Sequence, residues 1–382
     1  MFKRFLLSPG PTPVPEVARL AMARELMHHR GPEFKELFGK VRESLQWLFQ
    51  TSEDVLVLTC SGTGAFEAVL ANFTRRSDTI IAVGGGKFGE RWGEIGRAYG
   101  MNVVDLDVEW GQAVEPEKLA RALEAHPRCA MVTLSASETS TGVYHDVETL
   151  AGVVKSHGRA LFAVDGITAV GVHPLPMDAW DIDILVSGSQ KAFGIPPGLG
   201  FVAAAPRAWA RCKSSDHGKF YFDLLAEKTQ QAKNQTAFTP AISLVVALQE
   251  VLELMHAEGL EALFARHALN ATATRAGVQA LGLKLLAGSP ADSVTAALLP
   301  DGVPAKEVVR RMRDVYGVTI AGGQGGLVEK VVRIGHIGFF DRSDILMAVS
   351  TLELALADIG YKFDSGMGVA AVQQVYAMNS TR

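Results

Sequence analysis

Residues 182–193 read IDILVSGSQKAF. The run Ile184 to Val186 suits a buried strand, and Ser187, Gly188 and Ser189 follow it before Lys191 arrives. One ammonium planted among small and polar residues at a strand end needs a chemical reason. In an open parallel sheet, ligands bind beyond the carboxyl ends of the strands. A lysine in such a sheltered cleft is pushed toward its neutral, nucleophilic form and can form an imine with an aldehyde. Small neighbours leave room for a flat ring. A lone lysine here also reads as a surface side chain whose stem lies along the strand end, so the rest of the chain must decide.

Outward from this stretch, short apolar runs alternate with amphipathic ones. DVLVLT precedes SGTGAFEAVLANF, TIIAVG precedes GGKFGERWGEIGRAYG, and NVVDLDV leads into EPEKLARALEAH. CAMVTLSA, a helix around DVETLAGVVKSHG, ALFAVDG, IDILVSGS and GLGFVAAA follow. Strands alternating with helices, several of them nearly continuous apolar runs, predict a mainly parallel sheet covered on both faces. A helix is expected from Glu33 to Phe49, and one long helix over residues 241–282 leads towards a second unit. There KLLAG, SVTAALLP, VTIAGG and KVVRIGH alternate with helices in PAKEVVRRMRDVYG and RSDILMAVSTLELALADIG. We divide the chain into a proline-rich extended arm over residues 1–15, a large domain over 16–256 and a smaller α/β domain over 257–382, with a mildly helical tail ending in polar residues.

Three further features fall at expected strand ends. Ser61 to Ala65, SGTGA, is a small-residue turn opening a helix, where N–H groups and the helix dipole suit a phosphate; a plain strand-to-helix turn reads the same way. Asp165 closes the strand ALFAVDG, where a carboxylate needs a cationic or strong donor partner or serves as a turn residue. Arg333, taken as ending the strand in VVRIGH, offers a planar fork for a carboxylate or a structural ion pair. Phosphate turn, acid, lysine and distal arginine, in this order, are the requirements of pyridoxal phosphate (PLP) catalysis.

With 382 residues, 48% of them hydrophobic and a formal charge of −4, the chain suits a well-packed soluble protein and argues against nucleic acid or anionic lipid as partner. No run approaches the roughly 18 apolar residues of a membrane span, and no signal peptide is expected at the start. A cytoplasmic location is expected. Cys60, Cys129 and Cys212 have no CxxC spacing and imply neither a zinc module nor a disulfide framework.

The chain resembles the class V aminotransferases of fold type I, in the alanine–glyoxylate and serine–glyoxylate group. The stretches that carry the resemblance are LLSPGPTPVP, HRGPEF, SGTGAFEAVLANF, GKFGERW, SETSTGVYHDV, the segment from Asp165 to Phe193, PPGLGFVA, TPAISL and VVRIGHIG. The resemblance implies a large domain with a mainly parallel seven-stranded sheet between helices, and a smaller C-terminal α/β domain. It implies PLP bound to Lys191, with Asp165 on the pyridine nitrogen. Thr63, Gly64 and Ala65 would form the phosphate turn beside Gln190. Phe88 falls where relatives often stack tryptophan on the ring, and Ser140 would lie near the phenolic oxygen. Arg333 and Gly10 would meet substrate. Thr239, or Thr236, would reach the phosphate of the neighbouring subunit in a homodimer with composite sites. The expected reaction moves an amino group from alanine or serine to glyoxylate or a similar small 2-oxo acid by a ping-pong route.

Other readings remain beside it. A cysteine desulfurase or related lyase needs a mobile-loop cysteine, and Cys212 has no such surroundings. A non-catalytic, hydrogenase-associated subunit is the reading from another class, opposed by the intact Lys191 and Asp165. VGGGKFG hints at a nicotinamide dehydrogenase but lacks the acid about 20 residues on. His28 and His29 read as structural histidines or as groups at the site entrance, without metal-ligand spacing.

Overall fold

The protein is described by a computed structural model over residues 3–379. Positions 1–2 of the expected arm and 380–382 of the polar tail lie outside the described residues.

Seven strands form the main sheet in the spatial order Val55–Leu58, Gly200–Ala204, Ile184–Gly188, Leu161–Asp165, Met131–Ser135, Thr79–Val83, Asn102–Leu106. Gly200–Ala204 runs antiparallel to both neighbours, and the remaining pairings are parallel. The edge strand Asn102–Leu106 exposes Asn102 and Asp105, whereas the other six runs are largely apolar and buried. Successive side chains of a strand point to opposite faces, and here both faces are covered. Val55, Val57, Phe162, Val164 and Phe201 enter one core with Phe34, Phe38 and Leu45 of the helix Pro32–Phe49. Leu56, Leu58, Leu161, Ala163 and Val202 enter the other, with Phe66 of the helix Gly62–Phe73 and Trp92 of the helix Lys87–Ala98. Each large side chain so buried contributes roughly 1.5–3 kcal/mol.

The Phe66 and Trp92 rings stack at 4.1 Å with an interplanar angle of 11°. That contact fixes the helix Lys87–Ala98 against its neighbour. Phe88 lies four residues before Trp92, on the same helix face, so core packing also sets where its ring stands.

A second sheet has the order Lys284–Leu285, Val294–Leu298, Val331–Gly335, Ala321–Gly322, antiparallel throughout. The helices Ala305–Asp314 and Arg342–Asp358 pack on it around Val308, Met312, Leu352 and Leu356. The expected strand VTIAGG is two pieces: Ala321–Gly322 belongs to this sheet, whereas Val318–Thr319 pairs in parallel with Phe5–Leu6 of the arm.

The long helix expected over residues 241–282 is interrupted. Ile242–Glu258 ends and Leu260–Ala280 begins at Gly259, which adopts φ 81° and ψ 151°. That conformation is nearly closed to residues with a Cβ, so the glycine ends one helix and opens the next. The tail helix is Met367–Met378. Among the described residues, no helix is long and apolar enough to cross a membrane.

Candidate active site

Asp165 is the last residue of its strand and is 4% exposed. Its register partners are Ser135 and Val186 on the adjacent strands. The Ser135 hydroxyl donates to Asp165 Oδ2 at 2.8 Å, and the Ile167 N–H donates to Oδ1 at 2.8 Å. Burial pushes this carboxyl up to about 7, aided by the nearby Glu138 charge and opposed by both hydrogen bonds and by Lys191.

Lys191 follows the strand Ile184–Gly188, in a turn whose backbone is tied to the arm. Thr12 N–H donates to Gln190 O at 3.2 Å, and Thr12 Oγ1 donates to Lys191 O at 2.9 Å. The amine itself donates to Pro9 O at 3.1 Å. Burial pulls its pKa down to about 8, with Asp165 raising it and Arg333 lowering it. Gly10 makes this approach possible: a Cβ there would stand 2.1 Å from Lys191 Nζ.

Arg333 occupies the middle of Val331–Gly335 and not its end, a correction to the expected position. It is 6% exposed, and its register partners are Ala296 and Ala321, which leave its side chain clearance. Nη1 donates to Thr139 O at 2.7 Å and Nε to Gly322 O at 2.8 Å. Burial lowers its pKa while Glu138 raises it. Lys191 is close enough to feel the charges of Asp165 and Arg333, and Glu138 bears on both Asp165 and Arg333.

The turn Ser61 to Ala65 opens the helix Gly62–Phe73, with the Ser61 hydroxyl accepting from Gly64 N at 3.4 Å. Arg91 Nη1 donates to Thr63 Oγ1 at 3.2 Å, and its guanidinium lies over the Phe88 ring, 4.9 Å from the centroid. Gln190 comes to the same place: a Cβ added at Gly188 would meet its Oε1 at 3.3 Å and Gly62 Cα at 3.7 Å.

The Ser140 hydroxyl donates to Glu138 Oε1 at 2.6 Å and accepts from Lys87 N at 3.1 Å. Thr236 is buried and turns its hydroxyl to Phe238 O at 2.5 Å, whereas Thr239 is exposed. Both line a small concavity with Tyr221 and Phe222, apart from Lys191. His28 and His29 stack loosely at 4.9 Å beside Arg30, whose Nη1 donates to Gln235 Oε1 at 2.9 Å.

Sequence reasoning missed Glu138, Ser135, Arg91 and the Pro9 carbonyl. The quoted SETSTG contained the first of these, and an acid at a strand end was the available signal.

A class V aminotransferase family profile matches residues 5–340. This chain belongs to the class V aminotransferases. It is therefore a PLP-dependent enzyme. The aminotransferase is 44% identical to the "soluble hydrogenase 42 kDa subunit" of Anabaena cylindrica, over 98% of this chain and 99% of that one. It is 33% identical to serine–glyoxylate aminotransferase of Methylorubrum extorquens, over 99% and 97% of the two chains. The crystal structure of ureidoglycine–glyoxylate aminotransferase from Bacillus subtilis superimposes with a TM-score of 0.93, at 28% identity and 99% coverage of both chains.

The residues of this aminotransferase fit PLP. Gln190 Oε1 is buried without a hydrogen-bond partner, and a turned amide would present NH₂ to an anion. A buried carboxyl held up to about 7 gains a partner if a ring cation stands beside it. The glycines before Lys87, which hinted at a dinucleotide site, instead lead into a first turn whose N–H groups bind the chain's own Glu138 and Ser140. The thiols are poor nucleophiles: burial pushes Cys60 up to about 12 and Cys129 up to about 11, and raises Cys212, which ends the helix Pro206–Cys212. Among the described residues no group of three or more His, Cys, Asp or Glu could hold a metal ion.

Proposed function

We propose that this aminotransferase moves an amino group from a small amino acid, alanine or serine, to glyoxylate or a similar small 2-oxo acid in a ping-pong cycle. One observation carries the reading: the buried Lys191 amine, pulled down to about 8, feels the charges of a buried acid, Asp165, and of a buried arginine, Arg333, whose side chain crosses from the smaller sheet to Thr139. The relatives from Methylorubrum and Bacillus share glyoxylate in their names and differ in the donor, which supports the acceptor more firmly than the donor.

When bound, PLP supplies an electron-withdrawing ring. Asp165 would hold the proton on the ring nitrogen, steadied by Ser135 and Ile167. Thr63, Gly64, Ala65 and Gln190 would hold the phosphate, with the Arg91 charge beside them. Phe88 would cover one face of the ring. Arg333 would bind the substrate carboxylate, and the alanines flanking it and Gly10 keep the space open. Lys191 Nζ, neutral above about 8, accepts the proton from the substrate Cα and returns it as general acid. Thr239, exposed beside an aromatic group in which Phe220 is 81% exposed, is the better of the two threonines to reach a second copy in a homodimer.

The Anabaena relative's name favours a second reading, a subunit that assists a hydrogenase without transamination. Half-reaction spectroscopy separates the two. The PLP-loaded protein is mixed with alanine, serine or other amino acids one at a time, and its visible absorbance is followed. Alanine or serine should discharge the absorbance and glyoxylate restore it. A protein indifferent to both donors would sink the proposed activity, and a colourless protein indifferent to PLP would favour the binding role.

A further inference from the structure

Glu138 is 1% exposed and receives four hydrogen bonds. Oε2 accepts from Phe88 N at 2.9 Å and Gly89 N at 3.0 Å; Oε1 accepts from Ser140 N at 3.0 Å and Ser140 Oγ at 2.6 Å. All four donors are neutral groups. Both carboxyl oxygens act as acceptors here, and two of the donors are first-turn N–H groups that the ladder of the helix Lys87–Ala98 leaves unpaired. Lys87 N–H goes to Ser140 Oγ at 3.1 Å, so the Glu138–Ser140 pair holds the first three N–H groups of that helix. The approach is close: a Cβ at Gly86 would stand 2.4 Å from Glu138 Cδ.

Glu138 also lies at the junction of the site. It ends the short strand Ser137–Glu138, and the next residue, Thr139, supplies the carbonyl that holds Arg333 Nη1. The residue at the other side of the clamp is Phe88. We propose that Glu138 is a positioning residue that, by gripping the first turn of the helix Lys87–Ala98, sets the height and tilt of the Phe88 ring over the cofactor face. The inference rests on the assignment of Phe88 to that face.

The test compares the wild-type enzyme, Glu138→Gln, Phe88→Ala and the double variant, each freed of PLP and then titrated with it. Hydrogen exchange of residues 86–90 in the apo-protein and circular dichroism of the bound chromophore are followed as well. Glu138→Gln keeps the size but faces one donor pair with NH₂. It should weaken PLP binding about tenfold, diminish the dichroism and speed exchange at Phe88 and Gly89. In the Phe88→Ala background the same change should weaken PLP no further, the mark of a shared path. Faster exchange with unchanged PLP affinity and dichroism would reduce Glu138 to a helix cap and overturn the inference. So would losses that multiply fully in the double variant. Should Glu138→Gln not fold, Glu138→Asp, which keeps the charge on a shorter stem, carries the same comparison. A wild-type chain that takes up no PLP would overturn the proposed function and this inference together; normal uptake by wild type and variants alike overturns the inference alone.

Discussion

Lys191 Nζ and the Pro9 carbonyl stand 3.1 Å apart, joining residues 182 positions distant in the sequence. The amine is thereby aimed by the chain's own arm. Gly10→Ala puts a Cβ where 2.1 Å separates it from Nζ, on a backbone with φ +147°. Either the arm or the lysine must move, and displacement of a reacting group by about 1 Å lowers turnover on the order of 100-fold. Steady-state kinetics of Gly10→Ala should show that drop with an intact far-ultraviolet spectrum. Unchanged turnover would mean that the arm does not aim the amine.

The Asp165 carboxyl, raised from the ordinary 3.8 to about 7, makes the stability of the apo-protein depend on pH. A carboxyl raised in the folded state contributes most when protonated, below its unfolded pKa. That contribution is lost as pH rises through about 7. Asp165→Asn, already neutral, should lack this decline, so its apo-protein gains on wild type as pH rises towards neutrality. The same variant should hold PLP weakly and lose most turnover. Thermal melts across the range, with and without PLP, check the first expectation; parallel wild-type and variant curves would contradict it.

Lys191 gives a second pH signature. Its amine is nucleophilic only when neutral, and its pKa is pulled down to about 8. The rate at which the apo-protein takes up PLP should therefore rise as pH passes that value and level off well below the ordinary lysine range. Stopped-flow absorbance records it. A rate still climbing towards the pKa of a free lysine would contradict the depression.

Arg333→Ala removes the charge offered to a carboxylate and leaves Thr139 O and Gly322 O without their donors. A lost hydrogen bond between charged groups is worth about 1.5–3 kcal/mol, which predicts a KM for the amino acid roughly 10–100-fold higher. Turnover at saturation should fall less. Arg333→Lys restores charge without the planar fork and should recover only part of the loss. An unaltered KM in Arg333→Ala would take this residue out of the substrate site.

What could be read from the chain was whatever depends on neighbours in sequence. The apolar runs around Val132, Val164 and Val186 identified parallel strands because both faces of each are buried. Asp165 and Lys191 stood out as polar residues at the ends of such runs. Other features depend on partners far along the chain. Phe88 N and Glu138 are 50 residues apart, and Arg333 Nη1 and Thr139 O are 194 apart. No local spacing reports those contacts, so the sequence does not single out Glu138. Val318 and Ala321 looked like one strand because the claim of the arm on Val318 is equally distant. At Gly259 a single positive φ splits a run that reads as one helix.

The strap formed by residues 5–12 is fastened at two ends. Phe5 N–H and Leu7 N–H bind Gly317 O and Thr319 O beside the smaller sheet, while Thr12 N–H binds Gln190 O at the larger one. One short stretch of chain thus laces the smaller sheet to the turn that carries the amine, so the register of Phe5–Leu6 on Val318–Thr319 is transmitted directly to Pro9.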